Sequence, residues 1–513
     1  MAIYRLFVLL LLGTVATACR TNGPAIVTTA TAVPPTSLPS TPTVMPATSP
    51  SPEPVLNPLD DAEAAQLMFQ LSQNDHSRAS EALGRIVEAN DQRFIAVLIE
   101  LFWGRQIGFV HTLSGTEYVQ ALEALSGQEF GFNWPGWVEW YGGTSLEPPP
   151  GFTGWKGRLL ASIDPNFGEF LQDSHPSRIR VEEVQWGGVV TDGIPPLDNP
   201  RMLTADQATY LNAADAVFGL YINDEARAYP LRIMDWHEMA NDVIGGVPIS
   251  LAYCTLCGAA VAYDDRASDG NTYTFGTSGF LFRSNKLMYD HQTKTLWNQL
   301  TGEPVLGELA ATDVTLTVLP VVLTTWEEWL ARHPDTLVLD IDTGFPRDYT
   351  PGAAYGDYFS VEVTMFPVWQ RSDLLDTKDQ VFVLRINGLP KAYPLDILAE
   401  EQVVNDVLGD TAVLIIAPRG TVSVEGNSLR VGRVNYSAGG EVRAYERGNQ
   451  SFSPTDDPDV LVDVAGQEWQ VSEDALIGPE GETLPRLGGH LAYWFGWFAF
   501  FPNTQVYGVR TAE

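Results

Sequence analysis

Apolar residues recur at three and four spacing from Asp60 to about Ala124, as in Ala64-Ala65-Gln66-Leu67-Met68-Phe69-Gln70-Leu71 and in the run from Arg93 to Phe102. This period predicts a succession of amphipathic helices, a small helical-repeat-like region over 59–147. Trp134, Trp137 and Trp140 continue it at spacing three and would line one helical face as core packing. Pro148-Pro149-Pro150 then marks a boundary, with a connecting segment over 148–199. From about residue 200 the pattern shortens to β-type runs. Residues 217–222 and 226–230 flank Asn223-Asp224, which supplies hairpin turn chemistry. A short helix carries Trp236-His237-Glu238. It puts His237 four residues before Asn241 on one face, and Asn241 and Asp242 read as backbone-capping residues at its end. Strands over 247–253 and 259–263 follow, then a helix with Trp326 and Trp329 and a strand after Pro334-Asp335-Thr336.

The same order returns later in the chain. At an offset of 164, Val217-Phe218 meets Val381-Phe382, Ala228-Tyr229-Pro230-Leu231 meets Ala392-Tyr393-Pro394-Leu395, and Asn241-Asp242-Val243 meets Asn405-Asp406-Val407. Trp326 and Trp329 meet Trp494 and Trp497 at an offset of 168. The expectation is an α+β chain with two homologous β-rich modules in tandem, 200–348 and 366–513, preceded by the small all-α region.

The N-terminus adds a location. An apolar run from Leu6 to Val15 leads to Ala16-Thr17-Ala18-Cys19, the layout of a secretory signal over 1–18. Small residues before a cysteine resemble a lipoprotein cleavage site, with Cys19 the lipidated residue and Ala16 in place of the usual leucine. Residues 19–58 are Pro/Thr/Ser-rich with few large apolar side chains and read as a disordered tether that holds the folded part off the membrane. The expected location is the extracytoplasmic face, with the membrane as partner through Cys19. Lys plus Arg total 30 against 64 Asp plus Glu, a net charge of -34. Such acidity repels phosphate backbones and excludes nucleic acid as a partner class.

Beyond Cys19 the chain has only Cys254 and Cys257. A disulfide between them would close too small a loop to stabilise much. The spacing, with Gly258 following, lets both sulfurs face one side of a tight turn. One chemistry that uses this is a redox dithiol, in which one thiolate attacks and the other resolves; His237 would tune protonation, and the partner would be a redox protein or small molecule. Another is a metal knuckle for Zn, Cu or Fe with His237 as a further ligand, although no second Cys pair exists. A third is a surface scaffold that binds a ligand without catalysis. The pair falls between strands rather than at a helix start, unlike a thioredoxin motif, so no helix dipole lowers a thiol pKa. The second module has Glu401, Pro418 and Thr421 where the first has His237, Cys254 and Cys257, which marks these three as candidates for chemistry. Trp236, Glu238, Ser278, Asp290, His291 and Trp297 are candidate pocket residues. Ser278 lies in no nucleophile elbow. Arg347-Asp348-Tyr349, with Tyr355 and Tyr358, fits a structural turn as well as a binding site.

Through Ala228-Tyr229-Pro230-Leu231, Trp236-His237-Glu238, Asn241-Asp242, Tyr253-Cys254-Thr255-Leu256-Cys257-Gly258, Ser278-Gly279, Leu287-Met288-Tyr289-Asp290, Trp297 and Thr325-Trp326, the chain resembles the bacterial family called domain of unknown function 3179, over roughly 163–510. The resemblance supplies no reaction. It implies redox chemistry, because some members carry selenocysteine in the cysteine motif. Thr255 stands where proline is usual.

Overall fold

The computed structural model describes residues 59–509. The expected signal, the Cys19 anchor and the tether to Pro58 lie outside them. Among the described residues no helix is long and apolar enough to cross a membrane.

Seven helices come first: α1 (Asp61–Ser72), α2 (His76–Ala89), α3 (Phe94–Ile107), α4 (Gly115–Ser126), α5 (Trp134–Gly142), α6 (Phe152–Leu160) and α7 (Pro165–Phe170). Four of them start at side chains that accept otherwise orphaned N–H groups: Asp60, Asp75, Asn133 and Ser114, the last in a full capping box with Glu117. Trp137 is fully buried, and Trp134 and Trp140 pack against the same core from its edge. The helical region does not stop at Pro148-Pro149-Pro150. Phe152 and Trp155 of α6 are buried in the core of α1–α5, because the prolines turn the chain back onto it.

The first β-rich region opens with β1 (Ala216–Ile222) and β2 (Glu225–Pro230), joined through Asn223 and Asp224 at φ 49° and 64°, the left-handed pair a tight hairpin needs. Next come α8 (Leu231–His237), β3 (Met239–Ile244), β4 (Val247–Cys254), a 3-10 turn (Thr255–Cys257) and β5 (Ala259–Asp264). The hairpin of β6 (Phe275–Phe282) and β7 (Asn285–Asp290) precedes β8 (Val322–Thr325), α9 (Trp326–Arg332) and β9 (Leu337–Leu339). Helix α8 is shorter than its pattern suggests: Glu238 takes φ 58° and ends it, and Asn241 and Asp242 lie inside strand β3. They are cross-links rather than caps. Asn241 exchanges two hydrogen bonds with the Phe275 backbone, at 2.8 and 3.2 Å, and Asp242 accepts from the Tyr229 hydroxyl at 2.7 Å.

After α10 (Gly356–Phe359) the second β-rich region runs β10 (Gln380–Ile386), β11 (Leu389–Pro394), α11 (Leu395–Glu401), β12 (Val403–Leu408) and β13 (Thr411–Ile416), and closes with β14 (His490–Tyr493), α12 (Trp494–Phe498) and β15 (Gln505–Val506). Strand orders β8-β1-β2-β9 and β14-β10-β11-β15 correspond, each with its last pair parallel. The cross-links correspond as well. Asn405 brackets the Phe452 backbone at 2.8 Å twice, and Trp329 and Trp497 donate to Thr336 and Thr504, each at 2.9 Å. The regions differ just past β4 and β13. Where the first makes the cysteine turn, the second extends a long hairpin, Thr421–Ser428 with Gly432–Gly440. Val422, Val424, Val434 and Tyr436 of this arm are buried with Phe218, Leu251 and Tyr253 of the first region.

Candidate functional site

Strand β4 ends at Cys254, the chain makes one 3-10 turn, and Gly258 at φ 59° returns it into β5. Two turn-flanking contacts fix this geometry: Gln299 Nε2 donates to the carbonyls of Ala252 and Ala259 at 2.8 and 3.1 Å, bracing both strands, and the Tyr358 hydroxyl donates to the Leu256 carbonyl at 2.7 Å. The second region forms the lid. A Cβ on Gly496 would sit 3.0 Å from Cys257 Sγ, and the Tyr493 ring lies 3.1 Å from the Cβ position of Gly258. Glycine at 496 is thus what allows α12 to lie directly on the sulfur. Cys254 and Cys257 are 1% and 0% exposed, so a macromolecular thiol cannot reach either without the two regions parting.

Both cysteines are free thiols, and their environments differ. Burial pushes the Cys254 pKa up, but the Cys257 thiol and the backbone N–H groups of Lys286 and Cys257 all stabilise its thiolate, and together they hold it below the ordinary value. Burial and the neighbouring Cys254 push Cys257 well up. The Cys257 proton has two acceptors in reach, Cys254 and the Ser284 carbonyl at 3.3 Å. Asn285 Nδ2 approaches Cys257 Sγ at 3.6 Å while also donating to Gln299 at 2.8 Å. The pair is therefore split into a thiolate-prone Cys254 and a proton-holding Cys257.

A buried charged layer lies next to Cys254. Thr255 Oγ1 donates to Glu238 Oε1 at 2.8 Å, and Lys286 Nζ donates to the Glu238 carbonyl at 2.6 Å. Burial raises the Glu238 pKa against the opposing pull of Lys286 and Thr255. Burial lowers that of Lys286 against the pull of Glu238 and Cys254. Asp235, one helical turn before Glu238, is buried with one carboxylate oxygen unpartnered; burial and then Glu238 push its pKa well up.

Of the residues singled out in the sequence, Glu238 joins the cysteines and His237 does not. His237 Nδ1 donates to the Pro195 carbonyl at 2.8 Å, and its Nε2 meets the Tyr349 hydroxyl at 2.6 Å. Both ring nitrogens are engaged there, so the set Cys254, Cys257 and His237 is not assembled. Among the described residues no three His, Cys, Asp or Glu side chains group so as to hold a metal. Trp236 donates to the Asp348 carbonyl at 2.7 Å, on the His237 side. Ser278 Oγ donates to the Leu287 carbonyl at 2.6 Å inside the β6–β7 hairpin. Asp290 accepts from Trp297 Nε1 at 2.9 Å, and Asp463 accepts from Trp469 at 3.2 Å in the second region, which marks this pair as framework. His291 packs on Tyr289 with ring centroids 5.2 Å apart, away from the sulfurs. Lys286, Asn285 and Gly496 are additions from the structure, and Tyr358, read in the sequence as a turn or binding residue, proves to brace the cysteine turn. Of the additions only Lys286 left a signal, as the one cation of strand β7, directly before the apolar Leu287-Met288-Tyr289.

Fold and site together define an α+β protein with a dithiol turn enclosed between two β-rich regions. The chain belongs to the family described as "Protein of unknown function (DUF3179)", whose model matches residues 191–504. No curated protein and no solved structure matches it.

Proposed function

We propose that this is an exported, lipid-anchored, thiol-based redox protein in which Cys254 is the nucleophile and Cys257 the resolving thiol. The observation that carries the reading is the asymmetry of the buried pair: the Cys257 thiol and the backbone N–H groups of Lys286 and Cys257 favour the thiolate of Cys254, whereas burial and Cys254 favour the thiol of Cys257, whose S–H lies 3.3 Å from the Ser284 carbonyl. The attacking thiolate and the proton-bearing partner are the two parts a dithiol cycle needs. Glu238 and Lys286, rather than His237, form the charged surroundings of the nucleophile. The two β-rich regions are tandem copies of one module, in which the second has exchanged the cysteine turn for an arm that closes over the first. The matching strand orders and the matching Asn and Trp cross-links, with Tyr393 donating to Asp406 at 3.0 Å as Tyr229 does to Asp242 at 2.7 Å, support this descent.

The test is a redox titration of the full-length protein against glutathione and dithiothreitol, with the thiols trapped by alkylation after denaturation. A Cys254–Cys257 disulfide that forms and re-opens reversibly is expected. A pair that stays reduced throughout, or never re-opens, overturns the reading. Labelling of intact cells with a membrane-impermeant reagent, together with mass analysis of the mature N-terminus for a lipid on Cys19, tests the location.

A further inference from the structure

Two groups of residues in the first β-rich region lack a counterpart in the second. Cys254 and Cys257 make one. Arg232, Trp236 and His237, which align with Asp396, Glu400 and Glu401, make the other and meet the segment 341–351 around an open depression. Its wall includes Arg232, Phe345, Arg347 and Tyr349.

The depression is firmly built. Pro195 O can only accept, so His237 carries its proton on Nδ1 and its Nε2 accepts from Tyr349; the Tyr349 oxygen in turn is 2.6 Å from Thr343 Oγ1. Trp236 is pinned through its indole N–H to the Asp348 carbonyl at 2.7 Å. The Arg347 guanidinium lies over the Trp236 ring, 5.5 Å from its centroid, which orients its plane.

The charges around it are unequally committed. Arg232 is paired with Asp215. Asp342 lies 3.7 Å from Arg201, and Asp348 Oδ1 accepts from the Thr350 N–H at 2.9 Å. Arg347 is exposed and has no ion pair among the described residues. In a chain of net charge -34, the carboxylates that line the depression, Asp342 and Asp348, leave this guanidinium unpaired. Beside it Phe345 is 39% exposed. An oriented N–H fork next to an exposed aromatic ring matches a carboxylate joined to a flat apolar body.

We propose that this depression binds a small organic carboxylate with a flat apolar body, the carboxylate on Arg347 and the body against Phe345. The site is independent of the sulfur chemistry, and either can fail without the other. The full-length protein would be titrated by calorimetry with benzoate, with benzylamine as the same ring of opposite charge, and with inorganic phosphate as an oxyanion lacking the ring. Saturable benzoate binding is expected, weakened about tenfold or more in Arg347→Gln, with neither benzylamine nor phosphate matching it. Arg347 is exposed, so the variant should melt with the parent, which separates lost binding from lost fold. Absence of saturable benzoate binding, equal binding of benzylamine or phosphate, or unchanged affinity in a normally melting Arg347→Gln each overturns the assignment.

Discussion

His237 and Glu238 are neighbours in the chain and engage different partners: His237 bonds Tyr349 at 2.6 Å, and Glu238 accepts from Thr255 at 2.8 Å beside the cysteine turn. The left-handed Glu238 that ends α8 turns the two side chains apart. Because Glu238 raises the Cys254 pKa through its charge, Glu238→Gln should shift Cys254 ionisation to lower pH. Following the ultraviolet thiolate absorbance against pH measures this; an upward shift would contradict the assigned role.

Cys257 acts on Cys254 in the reverse sense, as a hydrogen-bond donor to the thiolate. Cys257→Ala removes the donor and should raise the Cys254 pKa, whereas Cys257→Ser, which keeps an O–H, should recover part of the difference. The same absorbance titration distinguishes the two variants.

Packing over the sulfur gives a test of access. Gly496→Ala places a methyl group 3.0 Å from Cys257 Sγ, and such overpacking costs about 1–3 kcal/mol. Denaturant unfolding should show that loss, and native-state alkylation of the cysteines should quicken as α12 is pushed off the turn. Slower alkylation would mean that reagents do not enter through this seam.

The two β-rich regions are also joined by a buried ion cluster. Arg332 reaches Glu441 at 3.2 Å and Glu473 at 3.3 Å, and Arg443 reaches both carboxylates at 2.5 Å. Arg443→Met would take from each buried carboxylate its most buried cation, leaving Arg332 and Arg419 on Glu441 and Arg332 and Arg486 on Glu473, and should cost about 2–3 kcal/mol, below the full loss expected for an unpaired buried charge. Adding Glu473→Gln should restore part of it, and a double-mutant cycle by chemical denaturation measures the coupling.

His237 and His490 are both held down to about 4 by burial, from an ordinary 6.5. The unfolded chain therefore binds more protons between pH 6.5 and 4. Stability from these two groups is complete above pH 6.5 and is lost as pH falls toward 4, by up to about 3 kcal/mol each. Glu473, held well below its usual range by Arg443 and Arg486 despite its burial, loses its contribution at still lower pH. A His237→Asn, His490→Asn double variant should flatten the stability profile between pH 6.5 and 4 and leave the more acidic limb in place.

Local chemistry made much of this legible in advance. Asn223-Asp224 announced the hairpin, and the Cys-x-x-Cys-Gly string between two strand patterns placed its turn correctly. What escaped depended on single backbone angles or on distant partners. A helical period cannot register that Glu238 leaves the helix, so Asn241 was expected on a helix face with His237 when it is a strand residue bonded to Phe275. Lys286 reads as an ordinary cation until the hairpin fold carries it under Glu238. Gly496 lies 239 residues after Cys257, and no local pattern reveals that the two touch. The three prolines at 148–150 suggested an end where the chain only folds back.

The arm Thr421–Ser428 with Gly432–Gly440, which lends Val422, Val424, Val434 and Tyr436 to the interior of the first region, bears on any attempt at dissection. Severed between 348 and 366, the leading fragment would open one wall of its interior to water, and the trailing one would carry an apolar prong with nothing to grip. Neither fragment is an independent folding unit by this measure. Co-expressed, they would have to reassemble as a complementing pair before either interior closed.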